Sequence, residues 1–348
     1  MNAPNPSTPS PQARLREIFR DARLPVMAAP MFLVSSPELV GASMSAGIVG
    51  TYAAPNARNI EALDVALGSI AEQAKAQGRA RGPGHTVVPW ALNMIVHSSY
   101  DRFDAEMALV ERYRPGIVTT ALGTPRRVLD RVHGYGGLVM ADVISPALAR
   151  KAVEAGVDGL VLVTSGAGGH TGKYHPFAFL AEVRRFWDGP IGLAGAISSG
   201  EHIRAAQLLG ADFVVVGTRL IATSESMAVP AYRDLVVSSG MEDLVLSSAV
   251  SGVPANWLKP TLDAAGFSVE QLKAEKTIDF SGDIVAVPKA WKDVWSAGHG
   301  VGAVQAVTSV ADVVAELEAS YAACVRAEVQ ALLELQSRYA AQPTLAPA

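Results

Sequence analysis

The chain has 348 residues, 49% of them hydrophobic and 18% charged, with a formal net charge of -4. That is ample for a large core, arranged as one big α/β domain or as two domains. The charge balance and the absence of a dense Lys/Arg run argue against a nucleic-acid binder, and a single cysteine, Cys324, excludes a disulfide framework and a cysteine-rich metal site.

Residues 1–12, MNAPNPSTPSPQ, lack a basic start followed by an apolar run, so they are expected to be a disordered tail rather than a signal peptide. No apolar stretch reaches membrane-spanning length without an interrupting Gly, Pro or charge, and the expectation is a cytoplasmic protein. Short apolar runs then alternate with helical patterns. Strands are expected at Val26–Met31, Gly47–Tyr52, Val88–Ile95, Ile117–Leu122, Leu138–Val143, Gly159–Thr164, Ile191–Ile197 and Phe213–Gly217. They are continuous apolar runs, as suits parallel strands covered on both faces. Helices are expected between them, at Ser36–Ser45, Arg58–Gln77, Arg102–Tyr113, Pro125–His133, Pro146–Ala155, Phe177–Trp187 and Gly200–Leu209. Ser145-Pro146 is a start signal, and Gly156 and Gly210 are stop signals.

Ser145–Val163 and Ser199–Val216 repeat one plan: helix, then Gly-X-Asp, then buried strand. Eight such units favour a closed (β/α)8 TIM barrel over an open, doubly wound sheet. The barrel is expected over 13–224. Residues 225–290 are too long for an ordinary loop and are expected to form a small helical insertion over the barrel mouth. Residues 291–340 should return to the barrel as helices, ending in an amphipathic helix from Val310 to Tyr339, with 341–348 as a tail.

In such a barrel, chemistry collects where strands end. The sixth strand empties into SGAGGHTG, residues 165–172, a glycine loop with one imidazole, His170. Glycine lets backbone approach a ligand closely, and histidine titrates near neutrality. The loop therefore suggests a bound ligand with a proton-transfer group beside it. The seventh and eighth strand ends supply Gly195, Gly217 and the Thr218 hydroxyl, and the helix from Ser199 adds its positive end; together these suggest a phosphate site. The first strand ends Ala29-Pro30-Met31, the third carries Asn93, and the fifth ends at Asp142. His97 also points to the mouth, whereas His175 precedes Pro176 at a helix start, a structural setting. No His-Glu-x-x-His pair or Gly-x-Ser-x-Gly elbow occurs, and no metal is expected.

Taken in order, Ala29-Pro30-Met31, ALNMIV, SGAGGHTG, LAGAISSG, GADFVVVGTRLIATSES, SGVPANWL and WSAGHGVGAV resemble the nitronate monooxygenase (2-nitropropane dioxygenase-like) family of FMN-dependent TIM barrels, over roughly residues 20 to 325. The resemblance implies FMN across the mouth. Ala29, Pro30, Met31 and Asn93 would lie near its ring. Gly168, Gly169, Gly195, Ala196, Gly217 and Thr218 would hold the ribityl phosphate, with His170 as catalytic residue. Asp142, also on the cofactor side, stands where some relatives place Lys, Thr or His, and is expected to face substrate or ring edge or to pair with a base. His299 replaces a common Gln and, with His97, is a substrate-side candidate. Ala196 replaces a second glycine, a change tolerable if its φ is negative. The implied activity is oxidation of alkyl nitronates or nitroalkanes by O2 to a carbonyl compound and nitrite. An NAD(P)H-dependent flavin reductase acting on a quinone or enoyl thioester is the alternative, and a non-enzymatic flavin-binding protein is a remote one. Expected partners are a small-molecule substrate and O2, with neither nucleic acid nor membrane, and a homodimer is left open.

Overall fold

The computed structural model describes residues 9–81, 88–273 and 292–340. Eight parallel strands form one sheet: β1 (Val26–Ala28), β2 (Thr51–Ala53), β3 (Ala91–Ile95), β4 (Ile117–Ala121), β5 (Leu138–Val143), β6 (Gly159–Val163), β8 (Ile191–Ala194) and β9 (Phe213–Val216). β7 (Gly169–His170) belongs to a second sheet. The large sheet runs β1-β9-β8-β6-β5-β4-β3-β2. Its two ends meet through a parallel bridge between Met27 and Val49, where the Ala28 N–H donates to Val49 O at 2.8 Å. The result is the expected α/β barrel.

The seven helices between the strands occur as Pro37–Ala46, Ile60–Arg81, Phe103–Tyr113, Arg126–Gly134, Pro146–Ala155, Pro176–Arg184 and Gly200–Leu208. Their punctuation is local chemistry. The Ser145 hydroxyl accepts from Leu148 N at 3.2 Å, and Gly156 closes that helix at φ +99°, where a side chain would be strained. Several strands are shorter than the apolar runs suggest. Gly47 at φ +89° caps the preceding helix instead of opening β2. β1 stops before Pro30, which has no N–H to give a ladder, and β8 stops where Gly195 and Ala196 turn to positive φ.

Alternation along each strand separates two cores. One residue set, including Leu92, Met94, Val118, Val139, Leu160 and Val214, packs outward against the helices. The other, including Met27, Ala91, Ile117, Met140, Val161 and Phe213, fills the lumen together with Leu15 and Phe19. Those two come from the helix Pro11–Asp21, which starts two residues inside the segment expected to be tail and is capped by Ser10. The Phe19 ring stacks on Phe213, with centroids 3.8 Å apart, and so closes the lumen at the end opposite the site. Truncating Phe19 to Ala leaves a hole that neighbours on rigid strands cannot fill. The expected cost is about 3–5 kcal/mol, read as a lower urea midpoint with unchanged slope.

The segment after β9 holds the helices Thr218–Ile221, Pro230–Ser238, Lys259–Ala264 and Val269–Leu272, the last three within the expected insertion. It also holds two strands that were not expected, β10 (Leu244–Ser247) and β11 (Ala255–Leu258), which form an antiparallel sheet with β7 in the order β10-β11-β7. Residues 274–290 of the expected insertion, including IDFSGD, lie outside the described residues, as does the 341–348 tail. The last helix runs Val310–Ala340 and packs on Gly200–Leu208 and Pro37–Ala46. No described helix is long and apolar enough to cross a membrane, and the described residues contain no cluster able to hold a metal.

Candidate active site

The strand ends bring most of the expected residues to one mouth, in two groups. The first is polar and lies on adjacent strands. Asn93 and Thr119 are paired across β3 and β4, and their side chains meet: Asn93 Nδ2 donates to Thr119 Oγ1 at 2.8 Å. The same Nδ2 donates to Asp142 Oδ2 at 3.0 Å. Asp142 continues the inward-facing set of β5 (Leu138, Met140, Asp142), which explains how a carboxyl comes to lie at the top of an apolar lumen. Burial pushes its pKa up to about 7, with the Asn93 N–H pulling the other way.

The second group is a junction of loops. The Gly166 carbonyl accepts from Ala196 N at 3.3 Å and from His299 N at 3.0 Å, and Thr218 Oγ1 accepts from Gly298 N at 2.9 Å. The ends of β6, β8 and β9 are thus tied together by the returning segment around 298–300. Small residues are required here. A Cβ on Gly168 would lie 2.7 Å from Gly298 N, and one on Gly217 would lie 3.2 Å from the Ala29 Cβ. Gly217 therefore also abuts the Ala29-Pro30-Met31 loop. Asn56 holds that loop, donating from Nδ2 to Met31 O at 3.1 Å and to Ser35 O at 2.7 Å.

His170 stands beside this junction in β7. Its neighbours give it a fixed frame: His170 pairs with Ala255 and Gly169 with Asn256 in β11, and Asn256 Nδ2 donates to Ala167 O at 2.8 Å. The Thr171 hydroxyl donates to Thr164 O at 2.9 Å. The ring borders open space at the mouth. Protein packed around it disfavours charge and lowers its pKa to about 4, so the imidazole is neutral at pH 7.

Two expectations change. Ala196 does not keep negative φ; it sits at +57°, in the left-handed region. Ala196→Gly should relieve that strain against a smaller loss to unfolded-chain entropy, raising stability by roughly 0.5–1 kcal/mol, measurable as a higher melting temperature. The helix after Ser199 does not offer its first N–H to a ligand. Gly200 N donates to Ser320 Oγ at 2.8 Å, and a Cβ on Gly200 would lie 1.9 Å from Tyr321 N, so the last helix covers that end. His97 Nδ1 lies 2.7 Å from Ser99 Oγ in the loop that follows β3. His299 does join the junction: its Nδ1 would lie 3.1 Å from a Cβ on Gly166. His175 caps the helix Pro176–Arg184.

Thr119, Asn56, Thr164 and Asn256 were not singled out in the sequence. Asn256 lies within SGVPANWL, so its motif was visible, but its partner Ala167 is distant along the chain. A hollow of about 560 Å³ beside Tyr52, Asn56 and Arg58 is lined by none of the expected site residues.

The chain resembles known proteins over most of its length. The family model described as nitronate monooxygenase matches residues 14–319. The chain is 28% identical over 296 residues to a nitronate monooxygenase of Pseudomonas aeruginosa, covering 71% of this chain and 81% of that one. It is 25% identical over 238 residues, 68% of this chain, to the (3aS,4S,5R,7aS)-5-hydroxy-7a-methyl-1-oxo-octahydro-1H-indene-4-carboxyl-CoA dehydrogenase of Rhodococcus jostii. The chain spans less than two thirds of the length of the first curated relatives it matches, 39% and 63%. The fold superposes on a nitroalkane oxidase of Streptomyces ansochromogenes with a TM-score of 0.74 at 22% identity, covering 89% of this chain and 99% of that one. With the family model spanning the barrel, the glycine junction and the His170 loop together, the chain belongs to the nitronate monooxygenase family.

Proposed function

We propose that the protein is an FMN-dependent monooxygenase that oxidises alkyl nitronates with O2 to a carbonyl compound and nitrite. The observation that carries this reading is the placement of His170, framed by β11 beside a junction of glycine loops, in a chain of this family. The residues present suit the cofactor. At Gly168, Gly195 and Gly217 a Cβ would crowd neighbouring loops, so backbone rather than side chain lines the mouth there. The one described acid among the expected site residues, Asp142, is on β5, separated by β6 from the β8 and β9 ends, so it does not oppose a phosphate there. Gly168, Gly169, Gly195, Ala196, Gly217 and Thr218 would hold the phosphate side, and the Ala29–Met31 loop with Asn93 the ring side. When bound, FMN would supply the electron-accepting and O2-reducing chemistry.

The chain's own part is binding and proton placement. A base is most effective when its pKa lies near the working pH. His170, depressed to about 4, is a weak base at neutrality but a constant hydrogen-bonding group. That favours a preformed nitronate over a neutral nitroalkane as working substrate, with His170 orienting it. The reductase alternative draws support from the similarity to the Rhodococcus jostii dehydrogenase.

Purified protein loaded with FMN tests the reading. Propyl-2-nitronate should bleach the flavin without oxygen and, in air, yield nitrite with O2 uptake. Rapid bleaching by NADH or NADPH with no response to nitronate would overturn it in favour of the reductase. A protein that binds no FMN would overturn both.

A further inference from the structure

Asp142 is held in an unusual way for a carboxyl at a ligand-binding mouth. It sits at the top of an apolar lumen, and its one described partner is an amide N–H, Asn93 Nδ2. Both hydrogens of that amide are used, one on Thr119 Oγ1 and one on Asp142 Oδ2, so Asn93 is fixed and so is the carboxyl oxygen it meets. The other carboxyl oxygen has no hydrogen bond among the described residues, and the residue is partly accessible from the mouth. No described Lys or Arg pairs with Asp142. Its register partner is Val161 on β6, with Asn93 and Thr119 on β3 and β4 to its other side, and among the expected site residues His170 and His299 are the other titratable groups placed at the mouth above. A carboxylate in this setting would have one hydrogen bond and no described counter-ion, whereas a carboxylic acid would be a directed hydrogen-bond donor.

We propose that Asp142 is a specificity-determining, anion-receiving acid: it binds the substrate's anionic oxygen as a neutral carboxyl, donating its O–H while Asn93 fixes its other oxygen. The inference rests on the nitronate reading for the identity of the anion. The step is a hydrogen bond, and no bond or electron is transferred. Ionised Asp142 repels the same anion. Affinity for an anionic ligand therefore falls as pH rises through the Asp142 transition. With that transition near 7, the neutral fraction, and with it the apparent affinity, should drop roughly thirtyfold between about pH 6 and pH 8.5. His170 is neutral over this window, so its own titration does not contribute.

The test uses isobutyrate, a redox-inert carboxylate isostere of propyl-2-nitronate, titrated into the FMN-loaded protein and followed by flavin absorbance. Wild type should bind it roughly thirtyfold more weakly at the higher pH. Asp142→Asn, a neutral donor at both pH values that still accepts from Asn93, should show less than a threefold change. Isobutyramide, which is uncharged, should bind wild type without pH dependence. If isobutyrate binding is flat with pH, or D142N keeps the wild-type dependence, the proposal fails. If D142N does not retain flavin, the contrast between isobutyrate and isobutyramide on wild type decides. Nitronate turnover is measured separately. Isobutyrate binding that follows Asp142 with no nitronate consumed would sink the nitronate reading alone. Turnover with pH-independent isobutyrate binding would sink this proposal alone.

Discussion

Replacing His170 with Ala should leave FMN bound and lower kcat/KM for propyl-2-nitronate by about tenfold to a hundredfold. That is the loss expected when one hydrogen bond to a charged group, about 1.5–3 kcal/mol, is removed from a positioned substrate. The effect on neutral 2-nitropropane should be larger, about 10²–10⁴, because there the imidazole must also take the α-proton. The wild-type rate on the nitroalkane should already be low, since a base held near 4 is poorly matched to that task. The pH response has a definite sign. The neutral imidazole predominates above its transition, so His170 contributes no acid limb until the pH falls towards about 4. Steady-state kinetics with both substrates, alongside the flavin spectrum of the variant, checks all three statements. Equal losses on nitronate and nitroalkane would mean that His170 only positions. An unchanged rate on both would remove it from the reaction.

Much of the barrel was legible because its strands are buried on both faces and so read as unbroken apolar runs; LVLV at 160–163 and FVVV at 213–216 have no other ready home. The strands β10 and β11, LVLS and ANWL, escaped notice because each is four residues long and mixes polar with apolar positions. The frame of His170 is hidden with them, since β11 is what pairs with its strand. Placing the site needed only strand ends, and Asn93, Asp142 and the glycines follow from that rule. What they do to one another depends on contacts across the barrel. Asn93 meets Asp142 over 49 residues of sequence, and Gly200 meets Ser320 over 120. No local pattern carries such distances. The sign of φ at Ala196 is similarly invisible, because the chain accepts strain there to join Gly166 and the 298–300 segment.

Gly195→Ala should be the most damaging single-methyl change at the glycine junction. Gly195 lies at φ +126°, a conformation open to glycine and strained for any L side chain. Space adds to the conflict. The new Cβ would sit 2.4 Å from Thr164 Oγ1 and 3.2 Å from Ala167 N. Thr164 cannot simply swing aside, because its hydroxyl donates to Ala194 O at 2.8 Å and its carbonyl accepts from Thr171, next to His170. The methyl must therefore shift either the β8 end or the His170 loop. Backbone strain of this kind costs about 1–3 kcal/mol. If the cost falls on the loop geometry that meets the ligand, it appears as FMN affinity weakened by roughly tenfold to a hundredfold, since 1.4 kcal/mol is about a factor of ten. Fluorescence titration of FMN into the apoprotein, with thermal melts of apo and loaded forms, separates the two destinations. Loss of affinity with a nearly unchanged apo melting temperature is the expected result. A variant that binds FMN as wild type does, at any apo stability, would show that the end of β8 lies away from the cofactor.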